Sequence, residues 1–315
     1  MIRIIAKLFA VAVVVAAFLH VAPVQAGQDF AYVSSTGSDS NPCTAAQPCA
    51  TIIQAIVSLN SEGGSGQVSC LNSPSIIEQS VGFGESFTID CTGVIAQSSG
   101  SSSPILQFDN PNQAVKIRNL TFSGVQATNG AILVTGSGTL ILENCVFENI
   151  ADGPALDIEP NGPLNLVIRN SRISNGGTVA VVLKPAAGGS INTTFDHVTV
   201  TENGGGGIRL DTTNGLVTAD VTDSVITNNT GNGLSAQGGA GGAAMLSIHN
   251  SVIAKNGAAG VNATGTNGAA LVDTTLLDTN GTATSIASGG RIVTYGNNRI
   301  VGPAGSGFTG TALLQ

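Results

Sequence analysis

The sequence contains no tryptophan and two tyrosines, and aromatic residues make up 4% of the chain. Saccharide-binding clefts often stack sugar rings on aromatic side chains, so the small number of aromatic residues argues against strong polysaccharide binding. Charged residues are also few, at 10%, whereas 42% of the residues are hydrophobic. A chain of this composition can bury a core, which excludes a disordered protein. The 42 glycines indicate strands and turns rather than long helices.

The first 26 residues have the features of a secretory signal peptide. Arg3 and Lys7 form a basic start, an apolar run follows from Leu8 to Ala22, and Val24–Ala26 resembles a cleavage site. No later stretch is long and apolar enough to span a membrane. We therefore expect a secreted or periplasmic protein without a transmembrane anchor after cleavage. Cleavage would change the formal charge from −8 to −10, which disfavours nucleic-acid binding.

A repeat of 23 to 27 residues runs through most of the chain, marked by two polar columns. Asparagine dominates both columns. The members of the first are Asn119, Asn144, Asn170, His197, Asp223, Asn250, Thr274 and Asn297. The members of the second are Asn149, Asn175, Asn203, Asn229, Asn256 and Asn280. An amide can donate and accept hydrogen bonds and tolerates the left-handed backbone conformation, so we expect stacked amides at a tight turn.

Each repeat contains three short apolar segments, two of which alternate with a period of two, such as Leu140/Leu142 and Leu156/Ile158. Segments this short leave no room for helices. Equivalent strands that recur about every 25 residues must run parallel, and a chain that coils without helical crossovers forms a β-solenoid.

These columns, spacings and glycine-rich turns resemble the right-handed parallel β-helix of pectate-lyase-like proteins. The resemblance implies an all-β, single-stranded right-handed parallel β-helix with three strands per coil over residues 66–302. It implies nothing specific about activity, because this fold carries lyases, hydrolases and adhesins. We expect residues 1–26 to be the signal peptide, 27–65 a disulfide loop with a short capping helix, and 303–315 a C-terminal cap or tail. The helix is predicted over Ala50–Leu59 from its apolar spacing.

Five cysteines in an exported chain suggest two disulfides and one free thiol. Cys43 and Cys49 flank a short loop. Cys70 and Cys91 align with the first asparagine column in successive coils, where neighbouring strands lie about 4.8 Å apart. We predict the bridges Cys43–Cys49 and Cys70–Cys91, with Cys145 buried and unpaired.

If the resemblance holds, saccharide binds on the outer face of the strand that follows the glycine-rich turn. Alternation places two files of outward residues there. One file contains Gln107, Leu133, Asp157, Val182, Arg209, Ser235 and Asn262, and the other contains Asp109, Thr135, Glu159, Lys184, Asp211, Gln237 and Thr264. Charges concentrate in three adjacent coils, at Asp157, Glu159, Lys184, Arg209 and Asp211.

Two interpretations of this charged patch are open. In one, Asp157, Glu159 and Asp211 bind calcium or supply an acid–base pair, while Arg209 and Lys184 hold an acidic sugar or act as the base of a β-elimination. In the other, Glu159, Lys184 and Asp211 form a structural ladder of alternating charge.

The same observations leave two function classes open. The scarcity of aromatics and carboxylates favours a non-catalytic exported scaffold that contacts glycans, cell-envelope components or partner proteins along its strand faces. The alternative is a carbohydrate-active enzyme, a lyase or hydrolase that acts on acidic polysaccharide around Asp157–Arg209. The scaffold requires no cofactor, whereas calcium is the cofactor that the alternative suggests.

Overall fold

The computed structural model describes residues 30–61, 66–71, 75–78, 81–83, 86–98 and 104–312. The predicted signal peptide lies outside these residues. Helix α1 spans Ile52–Ser61, close to the predicted range. No helix in the described part of the chain is long and apolar enough to cross a membrane.

The strands pair in three stacks, and every pairing is parallel. The first stack contains Phe30–Val33, Gln67–Cys70, Phe87–Ser98, Gln113–Ser123, Gly138–Glu143, Pro163–Arg169, Ser190–Asp196, Gly206–Thr222, Leu234–His249, Gly268–Asp273, Arg291–Thr294 and Gly310–Thr311. The second contains Ser75–Glu78, Val146–Glu148, Arg172–Ser174, Thr199–Thr201, Val225–Thr227, Val252–Ala254, Leu276–Asp278 and Arg299–Val301. The third contains Val81–Phe83, Leu106–Phe108, Ile132–Val134, Leu156–Ile158, Val179–Leu183, Ala259–Thr264 and Thr282–Ala287.

Four long strands take part in two stacks each. Phe87–Ser98 and Gln113–Ser123 continue from the first stack into the second, and Gly206–Thr222 and Leu234–His249 continue from the third into the first. The number of separate strands therefore differs between coils. The sequence prediction of a parallel β-solenoid is confirmed.

The apolar residues of all three stacks meet in one core. Phe122 and Phe147 are fully buried and stack with their ring centroids 4.7 Å apart and their planes nearly parallel. Phe195 is also fully buried. Strand alternation sends one side chain in two to this core, which fixes the register of each coil.

The first polar column forms the turn between the first and second stacks. All but its last member have a φ between 45° and 58°, the left-handed conformation that Asn tolerates best. At the last coil the positive φ falls on Gly296 instead. The side chains lie at the surface, and amides bond from coil to coil, as where Asn144 Nδ2 donates to Asn119 Oδ1 at 3.1 Å.

The buried N–H groups at the position after the column are satisfied by hydroxyls at the same position of the next coil. Ser171 Oγ accepts from the backbone N–H of Cys145 at 3.0 Å and donates to the carbonyl of Arg169 at 2.7 Å. Ser224 accepts in the same way from Val198 at 3.0 Å. A column of buried hydroxyls therefore lines the inside of the bend and meets the requirement that buried polar groups be paired.

The second polar column combines two structural positions. Asn149 and Asn175 are exposed and have positive φ. The later members lie one residue further along the turn, where the side chain points into the core. Asn203, Asn229 and Asn256 are each 1% exposed and form a continuous ladder. Asn203 Nδ2 donates to Asn229 Oδ1 at 2.8 Å, and Asn229 Nδ2 donates to Asn256 Oδ1 at 3.0 Å. The predicted asparagine ladder is thus present and is buried in the later coils.

Helix α1 packs against the first strands and covers the N-terminal end of the core. Ile52, Ala55, Ile56 and Leu59 are at most 1% exposed. Covering the end shields apolar side chains and strand edges from solvent. Asp39 fixes the start of the helix, because its carboxylate accepts the N–H groups of residues 50 and 51 at 2.9 and 3.0 Å.

Both predicted disulfides, Cys43–Cys49 and Cys70–Cys91, are present. The Cys70–Cys91 bridge joins successive coils with the Cα atoms 4.8 Å apart, which matches the spacing of neighbouring strands. Cys145 is free and buried, as predicted, and burial raises the pKa of its thiol to about 11.

At the other end, residues 303–312 fold back over the last coil. Gly310–Thr311 pairs with Val293 and Thr294, and Gly305 forms a bridge to Thr284. Phe308 packs against the core. The predicted cap also included Leu313 and Leu314, which lie outside the described residues.

Candidate functional site

The third stack brings the predicted outward residues into register. Asp157 pairs with Val182, Val182 with Arg209, and Arg209 with Ser235. Asp157 and Arg209 are therefore two strands apart on one face, about 10 Å between backbones at the usual strand spacing. This file is more enclosed than its outward direction suggests, since Val182 is 6% and Ser235 4% exposed.

Asp157 is the most perturbed acid of this face. Burial, with a smaller contribution from the neighbouring negative charge of Glu159, raises the pKa of its carboxyl to about 6, although Lys184 and Arg209 oppose the shift. A carboxyl with this pKa is present in both protonation states near neutral pH. It can therefore accept or release a proton, as acid–base catalysis requires.

Lys184 and Glu159 form part of the predicted charge ladder. Lys184 Nζ lies 3.1 Å from Glu159 Oε1, and both side chains are at least one-third exposed. The hydrogen bond to Glu159 raises the pKa of Lys184, so this amine stays protonated. Lys184 is better suited to hold a negative charge than to act as a base.

The third member of the predicted ladder, Asp211, does not continue it. Its Oδ1 accepts a hydrogen bond from Thr213 Oγ1 at 3.1 Å, and it forms no ion pair within 4.0 Å among the described residues. The ladder therefore consists of one ion pair, and Asp157 and Arg209 lie outside it.

Arg209 borders a cavity of about 170 Å³. Its lining includes Gly205–Gly207, Gly231 and the polar residues Ser235 and Gln237. Arg209 Nε is buried and has no hydrogen-bond partner among the described residues. Buried donors are nearly always paired, so the hydrogen-bonding capacity of this guanidinium is incompletely used beside the cavity.

Close packing explains the glycines of this cavity. A Cβ at position 207 would lie 2.3 Å from the carbonyl oxygen of Gly233, and one at position 231 would lie 1.8 Å from that of Gly205. The adjacent coils therefore exclude side chains at these two positions.

The predicted calcium ligands do not converge. The carboxylate oxygens of Asp157, Glu159 and Asp211 do not all lie within 4.8 Å of one another. Calcium binds its oxygen ligands at about 2.3–2.6 Å, which requires a tighter group. As placed, these three residues do not fit one calcium ion, and calcium binding stays a prediction.

A second arrangement of charges, on the outer face of the first stack, was missed in the sequence. Acidic and basic side chains alternate there across neighbouring coils. The close pairs are Asp90–Arg118 at 2.9 Å, Glu143–Lys116 at 2.8 Å, Asp196–Arg169 at 4.0 Å and Asp273–His249 at 3.1 Å. The partners are 24 to 28 residues apart in the sequence, so only an alignment of whole coils would have shown them. Such exposed pairs contribute little to stability individually, typically about 0–1 kcal/mol each.

Comparisons with known proteins agree with this architecture. The family described as a right handed beta helix region matches residues 105–276, more than half of the chain. Among solved structures, pectate lyase Pel9A superposes with a TM-score of 0.65 at 15% identity, covering 90% of this chain and 78% of the lyase. A rhamnogalacturonan lyase superposes with a TM-score of 0.54 at 13% identity, covering 79% and 74%. No curated protein sequence matches the chain. Likenesses at this identity establish the fold.

Proposed function

The chain belongs to the right-handed β-helix family, and we propose that it is an exported carbohydrate-active protein that binds acidic polysaccharide on the outer face of its third stack. The polysaccharide-lyase names of two structures with the same fold support this class of ligand. The observation that carries the proposal is the buried, unpaired Nε of Arg209 on the same face as Asp157.

The binding step follows from the charges of the face. A uronate unit carries a carboxylate, and guanidinium–carboxylate hydrogen bonds are among the strong polar contacts in proteins. We assign Arg209 to the carboxylate of one unit and Lys184 to the charge of a neighbouring unit. Because Glu159 already pairs with Lys184, Arg209 is the stronger of the two contacts.

A β-elimination provides a chemical role for Asp157. A base removes the proton from the carbon next to the uronate carboxylate, the C–H electron pair forms a carbon–carbon double bond, and the adjacent glycosidic C–O bond breaks. The departing oxygen takes up a proton. Arg209 would stabilise the negative charge that develops on the carboxylate, and Asp157 would transfer the proton.

The exported scaffold is the second candidate. It is favoured by the small number of carboxylates on this face and by the absence of tryptophan from the chain. A scaffold would bind the same polymer without cleaving it. The two candidates therefore share the Arg209 contact and differ in the role of Asp157.

The test measures binding and turnover on uronate polymers such as polygalacturonate, following the ultraviolet absorbance of the unsaturated product. We expect Arg209→Gln to weaken binding about 10- to 100-fold, the effect of losing about 1.5–3 kcal/mol from a charged hydrogen bond. Asp157→Asn should abolish turnover and leave binding within a few fold. Arg172→Gln, which removes a positive charge from the second stack, is the matched control and should behave as wild type.

The outcomes separate the candidates. Turnover that depends on Asp157 establishes a lyase, and binding without turnover in the wild type establishes a scaffold. Unchanged binding by the Arg209→Gln variant, or no binding of any acidic polymer by the wild type, would refute the proposed face.

A further inference from the structure

The turn between the first and second stacks carries residues other than asparagine at two adjacent coils. Asn144 and Asn170 precede this point in the column and Asn250 follows it, whereas His197 and Asp223 occupy the intervening positions. Both intervening residues keep the left-handed backbone of the turn, with φ of 54° and 52°. The bend itself therefore does not require an imidazole or a carboxylate.

These two residues meet a third that lies beside them. The metal-ligating atoms of Asp196, His197 and Asp223 all lie within 4.8 Å of one another. His197 Nδ1 is 2.6 Å from Asp196 Oδ1, and the histidine side chain is 61% exposed. Among the described residues, no other group of three or more His, Cys, Asp and Glu side chains converges in this way.

The carboxylates of the group have other partners at long or single contacts. Arg169 Nε forms a long ion pair with Asp196 Oδ2 at 4.0 Å, which a metal ion would displace. Asn250 Nδ2 donates to Asp223 Oδ1 and orients that carboxylate. Among the described residues, the side chain of His197 bonds to Asp196 and not to its column neighbours, while its backbone N–H donates to the carbonyl of Thr222.

We propose that Asp196, His197 and Asp223 bind one divalent transition-metal ion of the borderline class, such as Zn²⁺, Ni²⁺ or Co²⁺. One imidazole nitrogen with two carboxylate oxygens is a donor set that these ions accept. Calcium and magnesium prefer oxygen ligands alone, so the histidine selects against them. Movements of about 1 Å by the exposed side chains would bring the donors to the usual bond lengths of about 2.0–2.2 Å.

On binding, the metal ion would replace the hydrogen bond between His197 Nδ1 and Asp196 Oδ1. Two carboxylates and a neutral imidazole carry two negative charges, which a divalent ion neutralises. Water completes the coordination. This site lies at the first turn, away from the third-stack face, so it is independent of the proposed function.

The test is calorimetric titration of tag-free, full-chain mature protein with Ni²⁺, repeated with Zn²⁺. His197→Asn and Asp223→Asn place the residue that is most frequent in this column at each position, so both variants should fold. His249→Asn is the matched control, because His249 has a single carboxylate partner, Asp273.

We expect one saturable site in the wild type and in His249→Asn, and at least tenfold weaker binding in His197→Asn and Asp223→Asn. Thermal unfolding checks that each variant is folded. No saturable Ni²⁺ or Zn²⁺ site in the wild type, or equal affinity in His197→Asn, would overturn the assignment. Displacement of Zn²⁺ by an equal concentration of Ca²⁺ would overturn the metal class.

Discussion

Replacing Asp157 with asparagine should stabilise the protein at neutral pH. The carboxyl of Asp157 has a pKa of about 6 in the folded chain, against an ordinary value of 3.8, chiefly because burial disfavours its charged form. Below the lower value the group is protonated in both the folded and the unfolded states. Between the two values the folded state binds more protons, so its stability falls as the pH rises towards 6.

The magnitude follows from the size of the shift. The difference between these two pKa values corresponds to at most about 3 kcal/mol, and partial solvent exposure of the side chain reduces this to about 1–2 kcal/mol. We therefore expect the wild type to lose about 1–2 kcal/mol of unfolding free energy between pH 4 and pH 7.5 through this group alone. Asp157→Asn keeps the shape of the side chain and removes the titration.

The assay is urea unfolding followed by circular dichroism at pH 4 and pH 7.5. The difference in unfolding free energy between variant and wild type is compared at the two pH values. The contributions of the other titrating groups are common to both proteins and cancel in this difference. Asp109→Asn, at an exposed position on the same stack, is the control and should show no such pH-dependent difference. An Asp157→Asn variant that is no more stable than wild type at pH 7.5 would refute the assignment of a partly buried, charged carboxylate.

Three further predictions concern stability and reactivity. The Cys70→Ser, Cys91→Ser double variant should lower the unfolding free energy by about 2–4 kcal/mol in denaturant titrations, and an unchanged midpoint would contradict a structural role for the bridge. Asn229→Ala should cost about 2–3 kcal/mol, because it leaves buried ladder donors and acceptors unpaired, whereas the exposed Asn165→Ala control should cost less than about 0.5 kcal/mol in the same titration. The Cys145 thiol should react with a thiol reagent only after unfolding, since it is buried and its pKa is raised to about 11; rapid modification of the native protein would show that it is accessible.

The repeat length and the strand register could be predicted from the sequence because each coil is constrained in the same way. The alternation at Leu140 and Leu156 and the column that contains Asn144 recur at nearly constant spacing, and stacking turns that spacing into spatial register. The Cys70–Cys91 bridge followed from the same alignment. Because successive coils pair in parallel, placing one column fixes the register of the other strands in each coil.

The polar interior was harder to predict. Asn175 and Asn203 look equivalent in the sequence, yet one is exposed with a positive φ and the other is buried in the ladder. A one-residue difference in turn length separates them, and alignment on residue identity alone cannot detect it. Ser171 was overlooked because a single serine beside an asparagine is an ordinary turn residue, and its role depends on a neighbour 26 residues away.

The charged patch was predicted as a set of residues but not as an arrangement. Alternation placed Asp157 and Arg209 on one face, as the structure shows. The sequence does not reveal that Arg209 borders a cavity or that Asp157 is desolvated, because both properties depend on how closely the neighbouring coils enclose these side chains. Lys184 pairs with Glu159, which keeps its amine protonated and suits it to bind a negative charge rather than to remove a proton.

The most direct test of the binding face is a crystal structure of the Asp157→Asn variant with a short oligogalacturonate. If the proposed function is correct, the oligosaccharide lies on the third stack, with one uronate carboxylate within hydrogen-bond distance of the Arg209 guanidinium. An ordered oligosaccharide on another face, with the Arg209 cavity filled only by water, would contradict it.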